Sequence, residues 1–463
     1  MLPFLRQSPL AKVAALLLLT LLLCIPLSEI GTLIAGRGDS QREAATELAS
    51  TYAGPQTLAA PLLVVPYTER WQETQRDGGG NLITTVPRSK QALHIVFPET
   101  LRIDGRMAPQ QRYRGIFNVL FYTLDATLEG RFASFDAAVL PHTEANSVLV
   151  PGTPYVALGV SDLRGIDGSP ALALAGENLH FAQRVPGLKP DAWLAQGIHA
   201  PLAGAALQAW QAGQALPYRL KLGLVGQERL AITPVADDTT AHITSPWASP
   251  SFGGRFLASE RSVTPQGFDA HWRVSSLVST AREQLLGTAA PADTFDVALA
   301  EPLNVYAQST RAIKYGALFI GLVLMAAFMF ELFRQLRLHP VQYGLVGLSI
   351  ALFFLLLVAL SEKIAFWQAY AAASGASVAL LGVYFSAVLH SGRRGASFAA
   401  YVALLYGALY GLLASESNAL LLGALLVFGM LAALMLATRK VDWYALSVTA
   451  APDHRAQEAV SAG

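Results

Sequence analysis

Long apolar runs near both ends of the chain constrain the fold more than any other feature of the sequence. Residues 13–27 are almost continuously apolar, and five further runs follow between residues 315 and 438. Each approaches the roughly 20 residues that an α-helix needs to cross about 30 Å of hydrocarbon. Charged residues make up only 14% of the chain, against about 25% in an average soluble domain. The sequence therefore predicts an integral membrane protein.

The apolar runs are predicted to form six membrane-spanning helices. No clear A-x-A cleavage site follows the first run, so residues 1–36 are predicted to be an uncleaved signal anchor rather than a cleavable signal peptide. Residues 313–438 are predicted to form a compact bundle of five spans, because their short joints force antiparallel neighbours. These spans are residues 315–333, 341–360, 366–389, 397–413 and 419–438.

Charge in the joints predicts the orientation of the spans. The joints that follow the first and third spans of the bundle are basic, whereas those that follow the second and fourth are acidic or neutral. Because Lys and Arg collect on the cytoplasmic side of short loops, both termini are predicted to be cytoplasmic. Residues 37–312 would then be periplasmic in a Gram-negative bacterium, and residues 439–463 would form a disordered cytoplasmic tail.

Two cations depart from this charge pattern. Arg311 and Lys314 precede the first span of the bundle, on the side predicted to be periplasmic. In one interpretation they reach anionic headgroups or pair with an acid such as Glu301. In the other, they couple the middle domain to the bundle. The sequence leaves both interpretations open.

Few ionisable residues lie deep in the predicted spans. Glu331 lies at the predicted cytoplasmic end of its span, where Arg334 or Arg337 could pair with it. An ion-coupled transporter usually places carboxylates nearer mid-span, so the sequence disfavours an ion path, though not a lipid path. Gly407 and Gly411 form a G-x-x-x-G motif, which permits close helix packing and a possible homo-oligomer.

Residues 37–312 are predicted to form a β-rich domain with few helices, either one large sandwich or two lobes. Residues 121–132 and 218–224 alternate between apolar and polar side chains, the period of a strand with one buried face. Turns are predicted at "IDGR" (103–106) and "IDGSP" (166–170). Further strands are predicted at 91–97, 101–104 and Phe295–Leu299, and helices at 44–52 and 202–212. The predicted fold class is thus a mixed membrane protein, with an N-terminal transmembrane helix, a large periplasmic β-rich domain and a C-terminal five-helix transmembrane bundle.

Two loops of the middle domain hold candidate interaction residues. In "SDLRG" (161–165), Asp162 and Arg164 present opposite charges that could bind a polar envelope ligand. Alternatively, Asp162 caps a turn and Gly165 supplies a positive φ. In "SPWASPSFGGRF" (245–256), Trp247 is either part of a packed corner or an exposed aromatic platform for glycan or lipid.

The sequence contains no recognisable catalytic, cofactor-binding or metal-binding motif. The nine histidines are scattered, without the spacing of metal ligands on one helix, and no nucleophile elbow, phosphate loop or dinucleotide fingerprint occurs. A net charge of +1 gives no indication of nucleic acid. An enzyme would need a cleft in which residues such as His199, His271 and Asp162 converge. The protein is therefore expected not to be an enzyme and to need no cofactor.

Motifs in the membrane segments and in the middle domain carry a family resemblance. They are "RAIKYGALFI…FE" (311–331), "QYGLVGLSIALFFLLLVALSEKIAFWQAY" (342–370), "DWY" (442–444), "SDLRGI" (161–166), "WASPSFGGRFL" (247–257) and "GFDAHW" (267–272). These stretches resemble the CreD family of inner-membrane proteins, and "RGIF" (114–117) is similar to the family's Arg-Gly-Ile-Tyr stretch, with Phe117 in place of the tyrosine. The resemblance implies a periplasmic β-rich domain between one helix and a bundle, and membership of an envelope-stress or cell-wall-damage regulon.

Two functions remain open at this point. The first is a non-enzymatic factor that supports envelope integrity, whose β-domain binds a periplasmic lipid, glycan or protein while the bundle anchors it in the phospholipid bilayer. The alternative is a transporter or lipid-handling protein, in which the bundle passes an amphiphile to the periplasmic domain.

Overall fold

The computed structural model describes residues 9–76, 82–300, 305–334, 338–414 and 419–439. These residues form two compact units. The first, the helical unit, lies within residues 1–40 and 303–463, and the second, the β-unit, is Gln41–Pro302. The predicted disordered tail lies outside the described residues, apart from Arg439.

Nine α-helices and seventeen strands occur in the described part of the chain, besides short 3-10 turns. The helices are α1 (Pro9–Thr51), α2 (Gly204–Gln211), α3 (Ala281–Gln284), α4 (Val305–Lys314), α5 (Gly316–Arg334), α6 (Pro340–Ser361), α7 (Phe366–Val388), α8 (Gly392–Ala414) and α9 (Ala419–Thr438). The strands are β1 (Gln56–Arg76), β2 (Leu82–Val96), β3 (Thr100–Arg114), β4 (Phe117–Phe132), β5 (Val148–Pro151), β6 (Tyr155–Val160), β7 (Ile166–Leu174), β8 (Glu177–Leu179), β9 (Ala182–Gln183), β10 (Ile198–Pro201), β11 (Leu216–Gln227), β12 (Arg229–Thr233), β13 (Asp238–Ser245), β14 (Pro250–Gly254), β15 (Glu260–Thr264), β16 (Gly267–Ser275) and β17 (Phe295–Leu299). The predicted combination of apolar helices at both ends and a β-rich middle is confirmed.

The apolar helices have the length that membrane crossing requires. Among the described residues, four helices are long and apolar enough to span, and a fifth span results if α4 and α5 are taken as one broken span. These two helices meet at an angle of 47°, with Tyr315 between them. The sequence predicted the middle domain to reach residue 312, whereas the β-unit ends at Pro302. The difference arises because α4 is helical and buries Ala312 among the apolar side chains of the helical unit.

The first helix packs against the others through close contacts at glycines. A Cβ at Gly347 of α6 would lie 2.1 Å from Leu23 of α1, and one at Gly316 of α5 would lie 2.8 Å from Leu27. Such contacts are what small residues permit between helices in lipid, where close packing replaces the hydrophobic effect as the driving force. The N-terminal helix therefore belongs to the same packed unit as the C-terminal helices, a point that the sequence left open.

Hydrogen bonds satisfy tyrosines buried between the C-terminal helices. The Tyr370 hydroxyl donates to the Tyr406 carbonyl oxygen at 2.7 Å, and the Tyr406 hydroxyl lies 2.8 Å from Ser377 Oγ. A buried phenol without a partner would cost free energy, so these bonds fix the register of α7 against α8.

The β-unit consists of two sheets around one core. The nine-stranded sheet has the order β14-β17-β12-β1-β6-β10-β9, with β2 and β5 also paired to β1. The eight-stranded sheet has the order β15-β16-β13-β3-β4-β11-β7-β8. Leu62 and Val64 of the first sheet share a buried cluster with Leu101, Leu124 and Leu220 of the second. The domain is therefore one two-layer structure, which decides between the two architectures that the sequence allowed.

The eight-stranded sheet exposes its outer face. Along β3 and β11, exposed and buried side chains alternate residue by residue, as expected for a strand with one face on the core. The turn predicted at 103–106 is wrong, because these residues lie within β3, paired to β4 and β13. The turn predicted at 166–170 is also wrong, since β7 begins there, although Gly168 has a φ of 72° beside an irregularity in the β7–β11 pairing.

The C-terminal end of α1 packs within the β-unit. Leu48 is buried against Val119 and Phe121 of β4, and Glu47 forms an ion pair with Arg114. The helix predicted at 44–52 is thus the last part of α1. The predicted strands at 121–132, 218–224, 91–97, 101–104 and Phe295–Leu299 are confirmed within β4, β11, β2, β3 and β17.

Candidate functional site

A cleft of about 810 Å³ lies on the nine-stranded sheet of the β-unit. Its floor is the antiparallel pair β1–β2, in which Pro66 is paired with Leu93 and Thr68 with Gln91. The opposite wall is the loop of residues 186–192 together with the end of β10. Ligand pockets in proteins usually measure about 300–1,000 Å³, so the cleft has the size of a binding site.

Hydrogen bonds hold the loop wall in place. The Tyr155 hydroxyl donates to the Pro186 carbonyl oxygen at 2.6 Å, and Nδ1 of His199 donates to the Arg184 carbonyl oxygen at 2.5 Å. Gly187 has a φ of 78°, a conformation that favours glycine, and a Cβ there would lie only 3.0 Å from Leu93, so the loop packs directly against β2. Both hydrogen bonds hold the beginning of the loop, and the Val185 N–H donates to the Ala195 carbonyl oxygen at 3.0 Å, which joins its two ends. Because these bonds fix the loop, the cleft is preformed.

The cleft is mainly apolar, with a few polar groups. Leu188 and Leu286 line it, together with Lys189, which is exposed, and His199, which is half-buried. Burial raises the pKa of Tyr155 to about 12, so its hydroxyl stays a neutral donor. Since Nδ1 of His199 is engaged, Nε2 is the nitrogen that could bond a ligand. No Asp or Glu is found among the described residues that line the cleft.

Comparison with known proteins identifies the family. Residues 8–444 match the family model described as "Inner membrane protein CreD". The chain belongs to the CreD family. It is 35% identical over 450 residues to the inner membrane protein CreD of Escherichia coli (strain K12), covering 96% of this chain and 95% of that protein. The resemblance read from the sequence motifs is confirmed, and the protein is a bacterial inner-membrane protein.

Solved structures show only distant likeness. An M1 zinc metallopeptidase from Deinococcus radiodurans is 11% identical with a TM-score of 0.21, covering 44% of this chain and 42% of that chain. A putative nutrient binding protein from Legionella pneumophila is 5% identical with a TM-score of 0.22, covering 49% of this chain and 77% of that chain. Our chain thus spans less than half of the metallopeptidase, and neither likeness carries a functional argument.

The structure places Asp162 and Arg164 at a turn next to the end of α1. Asp162 accepts hydrogen bonds from the backbone N–H of Arg164 (3.1 Å) and of Gly54 (3.2 Å), and forms an ion pair with Arg164 at 2.7 Å. Arg164 also donates to the Ser50 carbonyl oxygen. These bonds satisfy the backbone where α1 ends. Partial burial alone would raise the pKa of Asp162, but the bonds from Arg164 and Gly54 together outweigh it and hold this pKa below its usual value.

Gly165 was predicted to need a positive φ, which is wrong, because it is absent from the residues with positive φ. The space around it explains the glycine instead. A Cβ there would lie 2.2 Å from Gln56 Nε2 and 2.3 Å from the Val225 carbonyl oxygen. The glycine thus permits close approach of β1 and β11.

Trp247 lies in a corner rather than in the cleft. Its Nε1 donates to the carbonyl oxygens of Ser249 (3.0 Å) and Ala300 (3.1 Å), and its ring packs partly buried against the core. The indole N–H is therefore satisfied within the protein. A role as a platform for glycan or lipid stays a prediction.

The three candidates of the helical unit have different surroundings. Arg311 is half-buried and Lys314 exposed, both in the last turn of α4. Glu331 is buried, with Oε1 2.5 Å from Lys12 Nζ and Oε2 accepting from the Tyr343 hydroxyl at 2.5 Å. The predicted partners of these groups, Glu301, Arg337 and the Arg334 side chain, lie outside the described residues. The sequence did not suggest Lys12, because it is 319 residues away.

The residues that an enzyme was expected to bring together lie apart. His199 lines the cleft, whereas Asp162 and His271 do not. One group of described residues could hold a metal ion: His242, Asp269 and His271. Spacing along the chain could not indicate it, since His242 and Asp269 are 27 residues apart and lie on different strands.

Proposed function

We propose that the protein supports the integrity of the cell envelope without catalysing a reaction, and that its β-unit binds an amphiphilic envelope component. The observation that carries this proposal is the preformed cleft on the nine-stranded sheet. Its apolar lining suits an acyl chain or another apolar moiety, and Lys189 at the rim suits an anionic or polar head. The family supports the membrane location.

The proposal places the β-unit in the periplasm, with both chain termini in the cytoplasm. The basic joints at 334–339 and 390–396 support this orientation. The test is labelling of single cysteines by a membrane-impermeant maleimide, in a variant whose native Cys24 is replaced by Ser. Ser262→Cys, on exposed β15, should react once the outer membrane is permeabilised. Gly392→Cys should react only after the inner membrane is opened, and the reverse pattern would refute the orientation.

Binding in the cleft is tested by photo-crosslinking of a diazirine-bearing fatty acid to the full-length protein in detergent. Lys189→Glu should weaken labelling about fivefold, the effect of losing one exposed charge contact and adding a like charge. The matched control is Lys221→Glu, since Lys221 is an exposed lysine of β11 outside the cleft.

A second pair of variants tests the apolar lining. Leu286→Glu adds a charge at the cleft, where Leu286 is 50% exposed, and Leu277→Glu adds one at a side chain that is 94% exposed outside it. Only the first should reduce labelling. Loss of labelling in both, or in neither, would contradict binding in the cleft.

The cellular role is tested separately. In a strain lacking this protein, any envelope-stress defect should be restored by the wild type and by Lys221→Glu, but less well by Lys189→Glu at equal abundance. If crosslinks map instead to α5–α9, the lipid-handling alternative gains over binding by the β-unit.

A further inference from the structure

Four strands of the eight-stranded sheet place imidazoles and carboxylates in one row. Asp104 of β3 is paired with His242 of β13, His242 with His271 of β16, and His271 with Glu260 of β15. Directly paired residues share a face of the sheet. Asp269 lies two residues before His271 and hence on the same face. The intervening residues on β3, β13 and β16 are buried and β15 is exposed throughout, so the row lies on the outer, solvent-facing surface.

The side chains of this row converge. Asp269 Oδ2 lies 3.1 Å from His242 Nε2, and Asp269 Oδ1 lies 3.1 Å from His271 Nε2. The two rings are stacked, with centroids 4.2 Å apart and an interplanar angle of 5°. One donor atom from each of the three residues lies within 4.8 Å of the others. Ligands about 2.1 Å from a tetrahedral zinc ion lie roughly 3.4 Å apart, so small side-chain rotations suffice to bind one.

Asp104 supplies a second observation. Its Oδ2 lies 3.4 Å from Nδ1 of His242. A metal-bound histidine commonly donates its other ring N–H to a carboxylate, which fixes the tautomer and directs the free nitrogen at the metal. Here the carboxylate of Asp104 leaves Nε2 of His242 as the nitrogen that faces Asp269 and His271. Asp104 would therefore act as a positioning residue.

The donor set defines the class of ion. Two imidazoles and a carboxylate suit zinc and its neighbours among the divalent transition metals, whereas Mg²⁺ and Ca²⁺ prefer oxygen ligands alone. The side chains of His242, His271 and Asp269 are 33%, 47% and 49% exposed, so an ion can enter from solvent. Glu260 lies opposite His271, where its carboxylate could complete the coordination.

The charge of the surrounding surface is compatible with a cation. Asp104, Asp269 and Glu260 place three carboxylates around the two imidazoles. Arg273 shares this face but donates to Asp238 at 3.2 Å, which offsets its charge. Arg106 also lies on this face, one pair of residues further along β3.

We propose that His242, Asp269 and His271 form a binding site for one divalent transition-metal ion of the zinc type on the outer face of the β-unit. The ion would link β13 to β16 in a protein with one cysteine, which therefore has no internal disulfide. Three protein ligands leave a fourth coordination position, which the Glu260 carboxylate, water or another anionic group could fill.

The test is zinc binding by the full-length protein, purified without a polyhistidine tag and stripped with EDTA. Competition with a chromophoric chelator should give one Zn²⁺ per chain, with no displacement by millimolar Mg²⁺. Zinc in hundredfold excess over Kd should also raise Tm by roughly 5 °C. His271→Ala should weaken binding by about a hundredfold, and Asp104→Asn, which keeps the three ligands, by about tenfold.

His180→Ala is the matched control, because His180 is an exposed histidine of the same unit outside the group. It should bind zinc as the wild type does. His271 is itself exposed on the outer face, so its loss should not unfold the sheet, and circular dichroism checks this. The proposal is overturned if the wild type binds no stoichiometric zinc, or if His271→Ala retains the wild-type affinity. In that case the three side chains only form hydrogen bonds between β13 and β16.

Discussion

The ion pair between Lys12 and Glu331 gives the sharpest prediction for the helical unit. It joins α1 to α5, and Tyr343 of α6 donates to the second oxygen of the same carboxylate. The Glu331 side chain is only 5% exposed, whereas Lys12 is 33% exposed. Replacing Glu331 by Ala leaves an ammonium group and a phenol without their acceptor.

The expected loss of stability follows from the burial of Glu331. Removing one partner of a buried ion pair costs about 3–5 kcal/mol, and the partial exposure of Lys12 favours the lower end. At about 2–4 °C per kcal/mol, Glu331→Ala should lower Tm by about 10 °C. In the double variant Lys12→Met/Glu331→Leu, neither charge remains, and only the Tyr343 hydroxyl loses its partner. We expect it to be more stable than Glu331→Ala by about 2 kcal/mol.

The assay is thermal unfolding of the full-length protein in detergent, followed by the monomer peak in size-exclusion chromatography. A complete double-mutant cycle, with the single substitutions Lys12→Met and Glu331→Leu beside the double variant, isolates the interaction between the two residues. Glu29→Ala is the control, because Glu29 is an exposed carboxylate of α1. The reasoning is refuted if Glu331→Ala lowers Tm no more than Glu29→Ala does, or if the effects of the two single substitutions simply add.

Two further predictions concern the β-unit. Hydrogen bonds from Ser147 and from the backbone of Glu144 hold the pKa of Glu69 at about 2, below its usual value of 4.5. Because the folded-state value is the lower one, the stabilisation is complete above pH 4.5 and is lost as the pH falls towards 2. The Tm difference between wild type and Glu69→Gln should therefore shrink between pH 5 and pH 3, and a constant difference would contradict the assignment. Separately, Gly165→Ala should destabilise by about 1–3 kcal/mol through overcrowding, as measured by Tm, whereas Gly54→Ala, with open space around it, should be nearly neutral.

Much of the fold could be predicted because its causes are local. A run of about 20 apolar residues leaves few alternatives to a spanning helix, and alternation with period 2 located β4 and β11. The strand Phe295–Leu299 agrees with its prediction at both ends. The wrong turn predictions also have local causes. Gly105 indicated a turn but lies within β3, where a Cβ would be 3.2 Å from Leu124. Glycine occupies this position because the space beside Leu124 is narrow, and not because the chain reverses direction there.

The sites could not be predicted in the same way because their causes are distant in sequence. His242 and His271 come together only because β13 pairs with β16 in one particular register, and a shift of one residue would place His271 on the core side. The cleft depends on the loop that Tyr155 fixes from β6. Lys12 reaches Glu331 only through the packing of the first helix. The relevant information lies in strand and helix pairing, which periodicity does not report.

The pairing of β1 also determines how this domain must assemble. Its first residues pair in parallel with β12, Gln56 with Leu230, so the partner strand is synthesised about 170 residues later. The parallel neighbour of β3, which is β13, is likewise synthesised long after β3 itself. Pairings of such high contact order form slowly, since the loop entropy is lost before the contacts form. The nascent chain therefore keeps open strand edges during much of the synthesis of the β-unit, and we expect its yield to depend on protection from aggregation as much as on final stability.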